Sequence, residues 1–387
     1  MKFGIPREII DGENRVGLIP KTVKELVDQE HKVMVEAGAG TNAGFSDEEY
    51  REAGATIADS PEQVFAESDL VIKINTLSQN SATGKHEIDM LGEGTAVIGM
   101  LAPMNNHDVV QKLVEENVTA FSLEFLPRIT RAQSMDVLSS MSTIAGYKAG
   151  LIAAQSLPKF FPLLMTAAGT IPPANALVIG AGVAGLQAIA TCKRLGAKVA
   201  AFDTRPAVKE QVESLGARFV EMELPEDAET EGGYAKEMTE EFYQKELEAI
   251  GKRAQKSDVI ITTALIFGKK APILVTEDML KTMSAGSVVV DLAGINGGNC
   301  EVGEYGKTVV EHGVTIHTPM NLPAELPYHA SQMYSKNINT YLGGLFKEDS
   351  TDFNFEDEIV DDTCIVKDGE IRNEIVKNAV NEKGETA

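Results

Sequence analysis

The run LVIGAGVAGLQA restricts the fold of this chain more than any other feature. Gly180, Gly182 and Gly185 stand in the G-x-G-x-x-G spacing, after an apolar strand-like segment and before a helix-forming one, Leu186–Leu195. The first glycine permits a tight turn, the second lets backbone approach a pyrophosphate, and the third allows close helix–strand packing, with the phosphates at the helix N-terminus. A second apolar run, VAAFD, ends in Asp203, 18 residues after Gly185. An acid there can accept hydrogen bonds from an adenosine ribose. It would also repel a 2′-phosphate, so the pattern predicts NAD over NADP. Arg205 is a residue type that serves NADP, and it reads as secondary here.

The same turn settles a membrane question. No charged residue occurs from Phe160 to Cys192, 33 positions, which is longer than the roughly 20 apolar residues of a membrane span. Pro162, Gly169, Pro172, Pro173, Asn175 and the three turn glycines interrupt it. A lipid-exposed helix with so many breakers is unfavourable, so the stretch reads as a loop, a buried strand and a glycine turn into a helix. The formal net charge of -23 and pI near 4.7 argue against a nucleic-acid partner and against anionic lipid. Three scattered cysteines without a CxxC fit a reducing cytoplasm, and the N-terminus lacks the apolar core of a signal peptide. The histidines show no metal-ligand spacing, so no metal is expected.

Around the turn, short apolar runs alternate with amphipathic segments in two series. The first has strand-like runs Lys2–Ile5, Val33–Glu36, Leu70–Ile74, Ala96–Met100 and Ala120–Leu123. The second has Ala176–Gly180, Lys198–Asp203, Ala217–Met222, Asp258–Thr263, Ser287–Asp291 and Val314–His317. Such alternation predicts α/β architecture: two Rossmann-like parallel-sheet domains. The expected division is an N-terminal α/β domain over 1–133, with a returning helix at 330–346, and an NAD-binding domain over 134–329. A long bridging helix at 134–157 would join them across a cleft. Residues 347–387 read as an acidic tail with a small hairpin and a polar, frayed end. Segment 348–387 carries 13 acidic and 4 basic side chains.

Three further segments bear on chemistry. RITRAQSMDVLSSMS gathers Arg128, Arg131, Gln133, Ser134, Asp136, Ser139 and Ser140, a donor and acceptor set suited to a nicotinamide carboxamide. The alternative, less favoured, is that Ser134 or Asp136 merely caps the bridging helix and the arginines are solvated. The acidic stretch 224–242 carries Gly232, Gly233 and Tyr234 and reads either as a lid with an aromatic tip or as a solvated loop. A second glycine cluster, Gly38–Gly44, has a spacing one residue too long and precedes FSDEEY, where Ser46 is the expected N-cap. It reads as a surface turn.

With these motifs in view, the chain resembles the NAD(H)-binding α subunit of proton-translocating transhydrogenases, within the alanine dehydrogenase/transhydrogenase superfamily. The resemblance runs from Met1 to about Leu345 and rests on RITRAQSMDVLSS, VAGLQAIATCKRLGA, EGGYAKEM, ITTALI and DLAGINGGNC. ENRVGLIP and EAGAGTNAGFSD are shared with alanine dehydrogenases, and the tail is similar to the segment that follows the NAD domain in some transhydrogenase α chains. The chain departs from the family at Phe267 and in MNLPAELPYH. The resemblance implies that Arg128, Gln133, Asp136 and Ser139 surround the nicotinamide, with Gln133 touching the partner's nucleotide. It implies a cofactor set of Gly180, Gly182, Val183, Gly185, Asp203, Thr204, Arg205, Gly233, Tyr234, Ala264 and Leu265. NAD(H) would bind here and NADP(H) on a partner subunit, with direct hydride transfer between them coupled to proton movement by a membrane-embedded subunit. A homodimer, cytoplasmic and peripheral to the inner membrane through protein partners, is the implied setting, with no direct membrane insertion.

The two branches of the superfamily differ in their need for proton transfer. Oxidising an amino acid requires a positioned acid or base. By resemblance, the histidine and aspartate of alanine dehydrogenases correspond here to Met100 and Ile295, which cannot move a proton. Arg15 and Lys73 match the residues that hold the substrate carboxylate there. An alanine dehydrogenase-like amino acid dehydrogenase is therefore the alternative reading.

Overall fold

The computed structural model describes residues 1–222, 240–265, 270–348 and 350–384. The chain divides into two compact units, Met1–Met141 with Pro323–Ala387, and Ser142–Leu322. The division falls inside helix Val137–Ser156, preceded by a 3-10 segment, Thr130–Met135. Among the described residues, no helix is long and apolar enough to cross a membrane.

The first unit is built on six parallel strands: β1 (Lys2–Ile5), β2 (Lys32–Glu36), β3 (Thr56–Ala58), β4 (Leu70–Ile72), β5 (Ala96–Gly99) and β6 (Thr119–Ser122). Their order, β6-β5-β4-β1-β2-β3, puts β1 beside β4 at the sheet's topological switch point. β3 has no counterpart among the sequence expectations, because TIA is too short for an alternation signal. Helix Pro20–Asp28 opens on a proline in its first turn and buries Thr22, Val23 and Leu26. Ser46 caps helix Asp47–Glu52 through a full capping box with Glu49. The Gly38–Gly44 cluster is a turn with no room for a ligand at its centre. A Cβ on Gly40 would lie 2.7 Å from the Tyr50 ring.

The second unit carries β7 (Asn175–Ile179), β8 (Lys198–Phe202), β9 (Arg218–Phe219), β10 (Val259–Thr262), β11 (Val288–Asp291), β12 (Thr308–Glu311) and β13 (Val314–His317). The order is β9-β8-β7-β10-β11-β13-β12, parallel except for β12, which pairs antiparallel with β13 at the edge. Alternate residues of β7 enter different cores. Ala176 and Val178 pack with Ala188, Ile189 and Cys192, while Leu177 and Ile179 pack with Ile250, Leu280 and Val289. A strand buried on both faces reads as a continuous apolar run, as NALVI does. The segment expected to be a loop before β7 holds an antiparallel hairpin, Leu164–Thr166 with Gly169–Ile171, reversing through Ala167 and Ala168 into Gly169, whose φ is 117°.

The acidic tail belongs to the first unit. β14 (Cys364–Lys367) adds antiparallel to β6, and β15 (Glu370–Ile371) completes the expected hairpin. Phe121 of β6 meets Phe353 at 4.9 Å between ring centroids, and Phe353 stacks on Phe346. Up to residue 384, the last described one, the final segment is not frayed as expected: it forms helix Glu374–Gly384, whose Val376 and Val380 are buried with Leu113 and Val366. Two valines at i and i+4 supply an apolar stripe that net charge alone conceals.

Candidate functional site

The glycine turn sits at the switch point of the second unit, between the ends of β7 and β10. Each glycine has a separate physical reason. Gly180 has φ of 91°, which disfavours any side chain, and a Cβ there would lie 2.6 Å from Thr263 Oγ1. Gly185 packs so closely that a Cβ would lie 1.9 Å from the Gly180 carbonyl oxygen. Gly182 differs: a Cβ there would meet nothing nearer than Arg205 Nη2 at 3.9 Å. It is also the N-cap of helix Val183–Arg194, and no side chain caps that end. Open space above an uncapped helix N-terminus suits a pyrophosphate, so the turn fits a dinucleotide. Val183 and Leu265 leave apolar surface exposed on either side of the switch point.

Asp203, at the end of β8, is buried, and its carboxylate faces this turn. Oδ2 accepts from the Ala181 N–H at 2.6 Å and from Arg205 Nη2 at 2.8 Å. Oδ1 accepts from the Arg205 N–H at 2.8 Å and from Arg205 Nε at 2.9 Å. Thr204 lies between the two partners and is half-buried. Glu246, on helix Glu240–Ala254, is a second buried acid. Burial first, then repulsion from Asp203, pushes its carboxyl up to about 7.

Two supports of the site were not singled out by sequence reasoning. Thr263 Oγ1 donates to the Gly180 carbonyl at 3.1 Å. The Asn299 side chain clamps Ala264, accepting from its N–H at 3.0 Å and donating to its carbonyl at 2.9 Å. Asn299 is placed by Asp291, which accepts from the N–H groups of Ala293, Asn299 and Cys300 and from Thr262 Oγ1. The sequence signal was the DLAGINGGNC run, whose polar ends frame its glycines. Ile295 is 62% exposed on the turn of that run.

In the first unit, Arg128 and Gln133 are exposed, and Asp136 and Ser139 are half-buried. Asp136 caps helix Val137–Ser156: it accepts from the Ser139 N–H at 2.9 Å and from Ser139 Oγ at 2.5 Å. Arg131 makes a two-pronged ion pair with Asp357 of the tail, and Asn337 donates to the Ser134 carbonyl. The segment is thus tied down on two sides. Gly233 and Tyr234 lie outside the described residues, as does Phe267.

Arg15 and Lys73 are buried among carboxylates. Lys73 Nζ is 2.7 Å from Glu87 and 3.7 Å from Glu8, and Arg15 grips Glu13 through Nε and Nη2. Burial opposes the charge on Lys73, but Glu8 and Glu87 outweigh it and raise its pKa. Burial likewise opposes the Glu13 charge, yet the hydrogen bonds from Arg15 lower it to about 2. Asn75 bridges Glu8 and Glu13, and the Ile74 N–H donates to Glu8. Glu8, Glu13 and Glu87 went unflagged in the sequence. Acids are common, and nothing local marks those that will be buried.

Two parallel-dominated sheets, one with an open glycine turn at its switch point, define a Rossmann-like α/β protein of dinucleotide-binding type. Family models for the alanine dehydrogenase/PNT N-terminal and C-terminal domains match residues 4–145 and 149–374. The chain is 47% identical over 375 residues to the first part of NAD(P) transhydrogenase subunit alpha of Rhodospirillum rubrum, covering 96% of this chain and 97% of the relative. The counterpart of the same description in Rickettsia prowazekii is 43% identical over 378 residues, 97% of each chain. The crystal structure of transhydrogenase from Sinorhizobium meliloti superposes with a TM-score of 0.85 at 40% identity, over 96% of this chain and all of that one. The chain belongs to the alanine dehydrogenase/PNT family, among its transhydrogenase α subunits.

Proposed function

We propose that this chain is the NAD(H)-binding subunit of a transhydrogenase. It would take part in direct hydride transfer between NAD(H) held here and NADP(H) held on a partner subunit, coupled to proton translocation by a membrane-embedded partner. The observation that carries the reading is the glycine turn: Gly182 leaves open space over an uncapped helix N-terminus at a switch point. The α-subunit relatives, matched over nearly the whole chain, support the assignment to this reaction.

When bound, the nicotinamide supplies the hydride. The chain's task is orientation, because transfer between two rings needs contact and alignment and no acid or base in this subunit. The amides at the start of helix Val183–Arg194 would hold the pyrophosphate, with Val183, Ala264 and Leu265 flanking the cofactor and Asp203, Thr204 and Arg205 at the adenosine ribose. Arg128, Gln133, Asp136 and Ser139 would orient the nicotinamide carboxamide. The Asp136–Ser139 bonds and the Arg131–Asp357 pair help to hold the backbone that carries them. The exposed apolar hairpin, with Met165 80% exposed and Leu163 54%, supports self-association as a homodimer. The setting we propose is cytoplasmic and peripheral to the membrane through protein partners.

The alternative, an alanine dehydrogenase-like enzyme, has less support. A substrate carboxylate at Lys73 would have to displace Glu87, and Met100 and Ile295 carry no transferable proton. The deciding experiment mixes the purified chain with an NADP-binding partner subunit and follows NADPH-driven reduction of an NAD analogue. Turnover is expected there, and none is expected from the chain alone with NADH, pyruvate and ammonia. The reverse pattern would replace this reading with the alternative.

A further inference from the structure

Asp203 is saturated by the protein itself. A carboxylate offers about four lone-pair positions. All four are occupied, two by the N–H groups of Ala181 and Arg205 and two by the Arg205 guanidinium. The backbone donors belong to the turn and stay with it. The guanidinium reaches the acid at the end of a long, rotatable side chain and lies against Gly182, on the side where the turn is open. A ribose diol that donates to Asp203 must therefore take the places of Nε and Nη2.

We propose that Arg205 is an internal competitor for the adenosine-ribose position, a latch that NAD(H) must displace and that narrows the site's preference for NAD(H) over NADP(H). The proposal rests on the nucleotide site proposed above. The planar guanidinium meets the carboxylate in a two-pronged geometry that a ribose diol can copy, so each excludes the other. With the latch closed, the acid's charge is neutralised and ribose finds no acceptor. A 2′-phosphate meets a different balance: Asp203 repels it, while the displaced guanidinium is a cation placed to pair with it. The same side chain thus opposes one nucleotide and assists the other. Apparent affinity for NADH is reduced by the fraction of molecules in the latched state.

The test measures NADH and NADPH dissociation constants by calorimetry on the full chain and on Arg205→Ala, Arg205→Lys, Asp203→Asn and the Arg205→Ala/Asp203→Asn double variant. Arg205→Ala is expected to tighten NADH binding on the order of tenfold and to weaken NADPH binding. Arg205→Lys, which keeps the charge and loses the fork, should shift NADH affinity in the same direction by less, and it carries the test if the alanine variant does not fold. In the Asp203→Asn background the effect of Arg205→Ala on NADH should vanish, an outcome that a merely structural arginine would not produce. Weaker or unchanged NADH binding by Arg205→Ala, with Asp203→Asn loosening NADH, overturns the latch and leaves the site standing. Unchanged NADH binding in Asp203→Asn and in Gly182→Ala alike overturns the site and the latch together.

Discussion

The two switch points of this molecule start from one plan and end in opposite chemistry. In both sheets the first and fourth strands lie side by side, so their carboxyl ends frame a crevice. In the second unit only Gly180, Ala181 and Gly182 separate β7 from the next helix, which brings a helix N-terminus to the crevice and leaves it open. In the first unit the chain runs from Ile5 to Pro20 before its helix begins, and that connection carries Glu8, Glu13 and Arg15. Glu8 bonds the Ile74 N–H just past β4, Lys73 meets Glu87, and Arg15 meets Glu13. The crevice is filled with the protein's own ion pairs. In this chain the two connections set the difference: the short glycine turn leaves space at Gly182, and the long charged connection brings Glu8, Glu13 and Arg15 to the other crevice.

The largest expected effect sharpens this contrast. Lys73→Met leaves Glu8 and Glu87 buried without their cation and should cost roughly 3–5 kcal/mol in denaturant unfolding. NADH affinity should not change; a parallel loss of nucleotide binding would show that the first crevice is no mere structural plug. Next come the paired glycine variants. Gly185→Ala forces a Cβ against the Gly180 carbonyl and should destabilise by about 3 kcal/mol or more. Gly182→Ala has room for its methyl group, so its melting temperature should stay near that of the parent while NADH binding weakens more than tenfold. A parent-like affinity for Gly182→Ala would mean the pyrophosphate does not approach there.

Glu246 brings the second crevice closer to the first in character. Its folded pKa of about 7 lies above the ordinary 4.5, so between those values the folded chain keeps a proton that the unfolded chain releases. Stability contributed by that proton is therefore full at low pH and lost as pH rises through this window. Glu246→Gln should abolish the loss and, at about pH 8, be more stable than the parent by up to about 3 kcal/mol. Parallel stability–pH curves for the two proteins would refute the shift. The smallest effect belongs to Gln133→Ala. It should slow hydride transfer with the partner subunit about tenfold and leave NADH affinity and melting temperature nearly unchanged. Equal losses in rate and affinity would make Gln133 a binding residue instead.

Much of the framework is legible in the sequence. The strands beside the turn are continuous apolar runs, and Ser46 and Glu49 mark a helix start by their own spacing. Other features are not legible there. β3 is three residues long, and the tail's place in the first sheet depends on β14 finding β6, far away in sequence. Asp136 shows both sides of the problem: helix capping is one of two roles its position allows, and only the folded chain shows the bonds to Ser139.

By itself the sequence determined what is local. It set the glycine turn, the alternation of strand and helix, and the Ser46 cap. These follow from backbone sterics and from residue chemistry over a few neighbouring positions. Only the tertiary structure decided which charges meet. Lys73 with Glu87, Arg131 with Asp357, and Asn299 with Ala264 are brought together by the folded chain across separations of 14, 226 and 35 residues. Even Asp203 and Arg205, two residues apart, gave no sign in the sequence that the arginine would occupy the acid's open face. Side-chain partners are selected by burial and by competition among all nearby groups, and both exist only once the chain has folded.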